Sequence, residues 1–404
     1  MVGAGYAGMA AAVTLAGRGA SVSVFESGPV AGGRARRVSA QGEALDNGQH
    51  LLVGAYTALF GMMRAVGVAS DALLRLPFEI RYPQGFRFRA LWLPAPLGML
   101  GGLLAARGVA LRERIGAGLF IRAMNKAGFR LEQDVPVSQL LQRHGQSGAL
   151  GRYLWRPLCV SALNTPAPQA SANAFLAALR DTLGGEPGAS DLLLPRVDLS
   201  RLFPEPAAAY VAQHGGRIFL RSVVRNLHDL RNRFDAVIVA VGPHQLERLL
   251  PGRASHFTYQ PIYTCYLQYP EHVRLPFPML GLADGLAQWV FDRGALTGER
   301  GRLACVISAQ GEHQQLTRDA LAERCHRELA QAFPGLPAAR WSRVIAEKRA
   351  TITCAPDVAR PGIETGLAGV FLAGDYTDAQ YPPTLEAAVR SGVRAAERVL
   401  ENRV

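Results

Sequence analysis

A chain of 404 residues with 49% hydrophobic and 19% charged side chains can bury a large core, is long enough for two domains, and is too apolar to be disordered. The net charge is +12, carried almost wholly by arginine, since lysine occurs only at Lys126 and Lys348; the arginines are dispersed and match no nucleic-acid reader motif, so nucleic acid is not an expected partner. Five cysteines (Cys159, Cys265, Cys305, Cys325, Cys354) contain no C-x-x-C pair, which argues against a zinc site and a disulfide framework and suits a reducing cytoplasm.

The chain opens on Gly3-Ala4-Gly5-Tyr6-Ala7-Gly8, and Glu26 follows eighteen residues after the last glycine. This is the G-x-G-x-x-G…acid fingerprint of a dinucleotide-binding βαβ unit. One glycine permits the tight turn, one lets the backbone approach a pyrophosphate, and one lets the helix pack on the strand. Ala10 to Leu15 reads as that helix and Ser21 to Glu26 as the second strand, with the acid placed to accept hydrogen bonds from ribose hydroxyls. Only Met1 and Val2 precede the first glycine, where a buried parallel strand usually takes about five or six residues. The expectation is therefore a mis-called start or a truncation at Met1. No secretory leader is visible, because the fingerprint occupies the N-terminus.

Gly32-Gly33-Arg34 opens the next element, and Leu45-Asp46-Asn47-Gly48-Gln49-His50 precedes an apolar helix near Tyr56 to Val66. The run Ala90 to Ala106 is uncharged, slightly short for a bilayer span, and broken by Pro94, Pro96 and three glycines. It reads as a buried core segment or as a monotopic, lipid-dipping segment, the second reading supported by Arg87 and Arg89 before it and Arg107, Arg112 and Arg114 after it. The arginine excess has the same two faces, a compositional bias or an affinity for anionic membranes and diphosphates.

Helical patterns follow at Leu150 to Leu163 and Ala172 to Leu183, with proline-rich punctuation up to Pro206. Nucleotide-domain character returns near residue 205: a helix at Ala207 to Gln213, a short strand at Arg217 to Leu220, an extended Val223-Val224 and a buried strand from Asp235 to Gly242. Extended runs at Ile262 to Tyr269 and Leu303 to Ser308 and a long helix from Thr317 to Phe333 make up the next region. Val370-Phe371-Leu372-Ala373-Gly374-Asp375 is an apolar strand ending in Gly-Asp, followed by an amphipathic helix from Pro383 to Leu400. An aspartate there can bind a polyol hydroxyl while the next helix N-terminus faces a phosphate or flavin ring. Paired with the distant fingerprint, it points to FAD rather than NAD. The predicted fold class is α/β, a Rossmann-like FAD-binding domain of the glutathione-reductase type, with an inserted α+β substrate domain. The FAD-binding parts are 1–75, 205–255 and 345–404, and the substrate parts 76–204 and 256–344.

On these motifs, and on Trp155-Arg156-Pro157-Leu158-Cys159 with Asn164-Thr165, Glu347 to Thr351, and Thr384 to Gly392, the chain resembles the flavin-containing amine oxidase and phytoene desaturase superfamily. Within it the chain is most similar to the squalene-associated FAD-dependent desaturases of bacteria, the hydroxysqualene dehydroxylases of hopanoid biosynthesis. The resemblance implies that Gly3, Gly5 and Gly8 receive the pyrophosphate and Glu26 the adenosine ribose. It implies that Gly33 and Arg34 lie along the diphosphate and ribitol, that the Val224 strand pairs its backbone with adenine, and that Gly374 and Asp375 hold the ribitol or diphosphate end. Thr384, Leu385 and Glu386 would start a helix aimed at the isoalloxazine, where a helix terminus stabilises negative charge on reduced flavin.

The implied reaction is reductive dehydroxylation of a polyisoprenoid, with reduced flavin as hydride donor and an electron donor that the sequence does not identify. It calls for a general acid, a cation-stabilising surface and a dry pocket. His50 is the candidate acid, since an unperturbed imidazole titrates near 6.5, or else a structural hydrogen-bonding residue. Asp46 orients the His50 loop or makes an ordinary turn hydrogen bond. Trp155, Asn164 and Tyr381 are candidate pocket residues, with Trp155 more readily read as core packing than as a cation-facing wall. Lys348 is worth testing for its rarity. The alternatives are an oxidative carotenoid-type desaturase, an amine oxidase, and a non-enzymatic lipid carrier. The implied location is the cytoplasm, with peripheral contact at the inner face of the cell membrane as a second reading.

Overall fold

The computed structural model describes residues 1–91, 93, 97–183, 186, 188–252 and 256–402. Its nucleotide half is a parallel sheet. The strands Ser23–Phe25 and Arg217–Phe219 pair in parallel, as do Val237–Val239 and Val370–Leu372. Val2 joins the two pairs through parallel bridges to Phe25 and Val239. The central strand is thus a bridge at Val2, with Met1 accepting from the Phe25 N–H and Gly3 donating to the Phe25 carbonyl. Val237–Val239 and Val370–Leu372 are apolar and fully buried, as expected when helices cover a parallel sheet, whereas Arg217–Phe219 at the sheet's edge is partly exposed.

Helix α1 (Tyr6–Gly17) lies directly on this sheet and on the last helix, Leu385–Glu401. Alanines make the approach close, and Gly392 is required by it: a Cβ there would sit 2.1 Å from the Ala7 carbonyl oxygen. Helix α2 (Thr57–Ala65) packs against the last helix as well.

The strand Leu192–Pro195 pairs antiparallel with Leu52–Val53 and Leu73–Leu76. Leu199, Leu202 and Phe203 share the apolar core of α1, so that core draws on chain upstream of residue 205. The second large sheet is antiparallel, ordered Met279–Gly281, Trp289–Asp292, Arg302–Ser308, Tyr259–Gln268 and Trp341–Ile352. Its last strand runs unbroken through position 345, and the helix Arg318–Ala332 covers one face. Cys265, Cys305 and Cys325 are buried between that helix and the sheet, and all five cysteines are free and buried. Across the other face lies the largest apolar cluster, which includes Phe78, Phe88, Phe120, Trp155, Phe175 and Trp289.

The run expected to be core or lipid-dipping becomes α3 (Leu97–Ala105), followed by α4 (Leu111–Lys126). Pro94 and Pro96 lie outside the described residues. Gly98 and Gly102 let α3 lie on the preceding strand, since a Cβ on either would come within 2.5 Å of the carbonyl oxygens of Leu91 and Arg89. Among the described residues no helix is long and apolar enough to cross a membrane.

Candidate active site

A cavity of about 660 Å³ opens at the carboxyl ends of the parallel strands and is lined by two groups of residues. The first is Gly3, Gly5, Glu26, Gly33, Arg34, Val224, Gly374, Asp375, Thr384 and Leu385, all expected from the sequence. A crevice at the carboxyl ends of parallel strands is where such sheets bind nucleotides.

The glycines divide their roles by geometry. Gly3 has φ +103° and its Cβ would fall 2.6 Å from the Ala240 carbonyl oxygen, so it makes the turn. A Cβ on Gly5 would meet nothing nearer than Gly33 Cα at 3.8 Å, which leaves open space above the turn. Gly8 does not line the cavity: its Cβ would lie 2.0 Å from the Gly3 carbonyl oxygen. It is the packing glycine, which corrects its assignment to the pyrophosphate. Helix α1 has no side-chain cap, and Gly5, Tyr6 and Ala7 at its start line the cavity. Uncapped N–H groups and the helix dipole there suit a diphosphate. Glu26 accepts from the Ala4 and Gly28 N–H groups at 2.8 and 2.6 Å, and a carboxylate retains lone pairs for a ribose. Val224 lies in an extended segment and in no strand, because the strand before it ends at Phe219.

Arg34 and Asp375 meet in an ion pair of 2.6 Å, and Arg34 also donates to the Ala350 carbonyl at 2.7 Å. Asn47, passed over in the sequence, joins them by donating to the Arg34 carbonyl and to Glu347 at 2.9 and 3.0 Å. Thr384 caps the last helix by accepting from Ala387 N–H at 3.2 Å. Glu386 is a correction. Its fully buried carboxylate turns away from the cavity and accepts from the Ala58 and Leu59 N–H groups at 3.0 and 2.9 Å, capping α2. Arg390 balances its charge at 2.8 Å.

The second group of lining residues is apolar and aromatic: Phe78, Met99, Leu154, Trp155, Phe175, Met279, Trp289 and Phe291 among them. Trp155 stands on a π-helical turn, Gly151–Trp155, at the start of the helix Arg156–Leu163; such turns recur at functional sites. Its Nε1 donates to Gln146 at 2.9 Å, and Phe120 packs edge-on behind it. Trp289 donates to Ser161 Oγ at 2.9 Å. Tyr381 lines the cavity under the Arg390 guanidinium, 4.7 Å from its ring centre.

Asn164 lines the cavity, but its amide is engaged elsewhere. It caps the helix in a left-handed conformation, φ +46°, donates to Gln260, Pro261 and Thr351, and accepts from Ala309 N–H at 2.9 Å. It lines the pocket as expected while its amide pins helix to sheet. Lys348 is exposed and neither lysine lines the cavity.

His50 lines the same cavity, near enough to Arg34 to feel its charge. Burial pulls its pKa down to about 4, against a weak opposing pull from the Gly48 carbonyl 3.4 Å away. The imidazole is neutral at pH 7, which corrects the expectation of an acid titrating near neutrality. Asp46 does not line the cavity. Burial raises its pKa to about 6, offset by Arg293 at 3.4 Å and by the Leu199 N–H. Arg293 in turn donates to Gln49, Gln49 to the Tyr266 hydroxyl at 2.8 Å, and Tyr266 to the Asp46 carbonyl at 2.8 Å. This closed ring fixes the backbone before His50, so Asp46 orients the loop.

The flavin containing amine oxidoreductase family model matches residues 6–400. The chain belongs to the flavin-containing amine oxidoreductases, on the hydroxysqualene dehydroxylase branch. It is 30% identical to a hydroxysqualene dehydroxylase of Sinorhizobium fredii, covering 99% of this chain and 97% of that protein. A hydroxysqualene dehydroxylase of Rhodopseudomonas palustris is also 30% identical with the same coverage, and a zeta-carotene desaturase of Synechocystis is 24% identical over 100% and 97%. Among solved structures, an oxidoreductase from Methanosarcina mazei superposes with a TM-score of 0.73 at 16% identity, covering 98% and 99% of the two chains. Cyclohexylamine oxidase from Brevibacterium oxydans gives 0.67 at 17%, covering 100% and 98%. This member of the family is an FAD-dependent oxidoreductase, and the open glycine turn, the uncapped start of α1, Glu26 and the Arg34–Asp375 pair fit that cofactor.

Proposed function

We propose that this flavoenzyme converts hydroxysqualene to squalene by reductive removal of the allylic hydroxyl. The observation that carries the reading is the near-complete match to hydroxysqualene dehydroxylases, joined to a cavity with a wall of aromatic and aliphatic side chains. FAD, reduced by an external two-electron donor, supplies the hydride when bound. The reaction balances as one proton and one hydride added to the alcohol, with the carbon–oxygen bond broken and water released.

The protein's own residues do the rest. Trp155, Phe175, Trp289 and Phe291 hold the hydrocarbon, exclude water and offer π faces to an allylic cation. His50 delivers the proton to the departing hydroxyl. With a pKa near 4 its protonated form is scarce but strongly acidic, so turnover rises as pH falls from 7 towards that value. The antiparallel sheet and the apolar helices form the α+β substrate part, inserted into a glutathione-reductase type FAD domain.

A second reading, oxidative desaturation, draws on the zeta-carotene desaturase relatives. The test is anaerobic incubation of the FAD-loaded enzyme with dithionite and hydroxysqualene, read by mass spectrometry. Squalene is expected, with His50→Ala slowing its formation by about 10²-fold or more. Consumption of hydroxysqualene to a more unsaturated product, or no consumption at all, overturns the reading.

A further inference from the structure

We infer that the face formed by α3 and α4 docks on an anionic lipid bilayer and that the cavity takes its long apolar substrate from there. The inference rests on the polyisoprenoid reading for the identity of the cargo, but the docking surface stands on its own observations. Seven of the twelve large apolar side chains exposed among the described residues fall between positions 91 and 119. On α4 they form one stripe at four-residue spacing, Leu111, Ile115 and Leu119, exposed to 62, 50 and 61%. On α3, Leu97 and Leu104 stand seven residues apart and so share a face, exposed to 57 and 56%. The opposite sides of both helices are buried, with Ala117, Phe120 and Ile121 in the core. Met99, on the inner side of α3, lines the cavity. A single helix thus carries outward leucines and a cavity wall.

Charge selects the occupant. Residues 86–131 hold eight basic side chains and one acid, Glu113, and Glu113 turns inward to accept from Leu150 N–H at 3.1 Å. Arg107, Arg112 and Arg122 are exposed and make no ion pair among the described residues. A second copy of this chain would bring the same cations against one another. Anionic headgroups would meet them with opposite charge while the leucines enter the acyl boundary.

The experiment is co-sedimentation of the FAD-loaded enzyme with vesicles of phosphatidylcholine alone or with added phosphatidylglycerol. Binding is expected to rise at least about tenfold with the anionic lipid. It should fall to background in Leu111→Ser/Ile115→Ser/Leu119→Ser and lose its anionic preference in Arg107→Gln/Arg112→Gln/Arg122→Gln. Both variants should keep full flavin absorbance and unchanged turnover of detergent-dispersed hydroxysqualene, with slower turnover of vesicle-borne substrate. Equal binding to both vesicles, wild-type binding by the variants, or a dimer in solution that the serine variant splits overturns the docking surface. If vesicle binding follows expectation while hydroxysqualene is not consumed, the surface stands and the substrate reading fails.

Discussion

The two ends of the cavity are built by different means. At the nucleotide end the main chain shapes the site: glycines at 3, 5 and 33, the uncapped start of α1, and strand ends held by a parallel ladder. At the hydrocarbon end side chains shape it, and they come from elements far apart in sequence, such as Ser161 with Trp289, or Gln49, held from behind by Tyr266 and Arg293. At Gly3 and Gly8 the first kind of site tolerates no added atom, because the backbone oxygens facing them cannot move aside. The second tolerates exchange of one apolar group for another of similar volume but depends on buried polar partners staying matched.

The largest expected effect follows from that contrast. Gly8→Ala puts a methyl 2.0 Å from the Gly3 carbonyl oxygen, where no neighbouring side chain can yield. We expect little soluble flavoprotein, read as the ratio of flavin to protein absorbance after purification. The matched change at the other end, Trp155→Phe, keeps an apolar ring but loses the Gln146 hydrogen bond and part of the buried indole volume; it should retain FAD and cost about 1–3 kcal/mol. Full flavin loading in Gly8→Ala would erase the distinction between the two ends.

The same contrast explains what was legible in the sequence. Gly3 to Gly8 with Glu26, and Gly374-Asp375, are contiguous patterns whose spacing reflects turns and strand ends, so the nucleotide half could be read directly. Helices such as Ala172–Leu183 and the last one were likewise visible through their apolar periodicity. Glu386 misled because an acid in the first turn of a helix suits that helix's own dipole, whereas its carboxylate caps α2, more than 300 residues earlier. The structural part Asn164 plays was not legible, because its left-handed backbone and four hydrogen bonds appear only once sheet and helix are joined. The ring of Asp46, Arg293, Gln49 and Tyr266 has no local signature at all. Trp289 and Phe291 could have been suspected from their alternation on one strand, but nothing in the chain order says which cavity that face lines.

A smaller effect tests the correction at Glu386. Glu386→Ala leaves two N–H groups of α2 without acceptors and Arg390 with only Asp181, 3.8 Å away, among the described residues. The expected loss is about 2–4 kcal/mol in denaturant unfolding of the FAD-loaded enzyme. Because the carboxylate faces away from the cavity, the position and shape of the flavin absorption bands should not change, and Glu386→Gln should recover part of the stability. A shifted flavin spectrum in Glu386→Gln would return the residue to the isoalloxazine.

The smallest effect lies at His50, which lines the cavity, and at Asp46, earlier in the same loop and outside the lining, and its sign separates them. His50 has a folded pKa of about 4 against 6.5, so the unfolded chain binds its proton first as the solution is acidified. Its contribution is fully present above pH 6.5 and is lost as pH falls towards 4, at up to about 1.4 kcal/mol per unit. Asp46 runs the other way. Its folded pKa of about 6 against 3.8 means the folded protein holds the proton, so its contribution is present below pH 3.8 and lost as pH rises through 6. Between pH 4 and 6 the two slopes oppose and largely cancel in the wild type. Urea unfolding of the FAD-loaded enzyme at several pH values in that window reads this pair against a background from other groups, among them the Met1 amine, whose pKa burial lowers to about 5. Relative to the wild type, His50→Asn should tilt the profile towards stability falling as pH rises, and Asp46→Asn should tilt it the other way. Parallel pH profiles for the two variants would mean that His50 is not held neutral, and the proton it is assigned would have to come from another group.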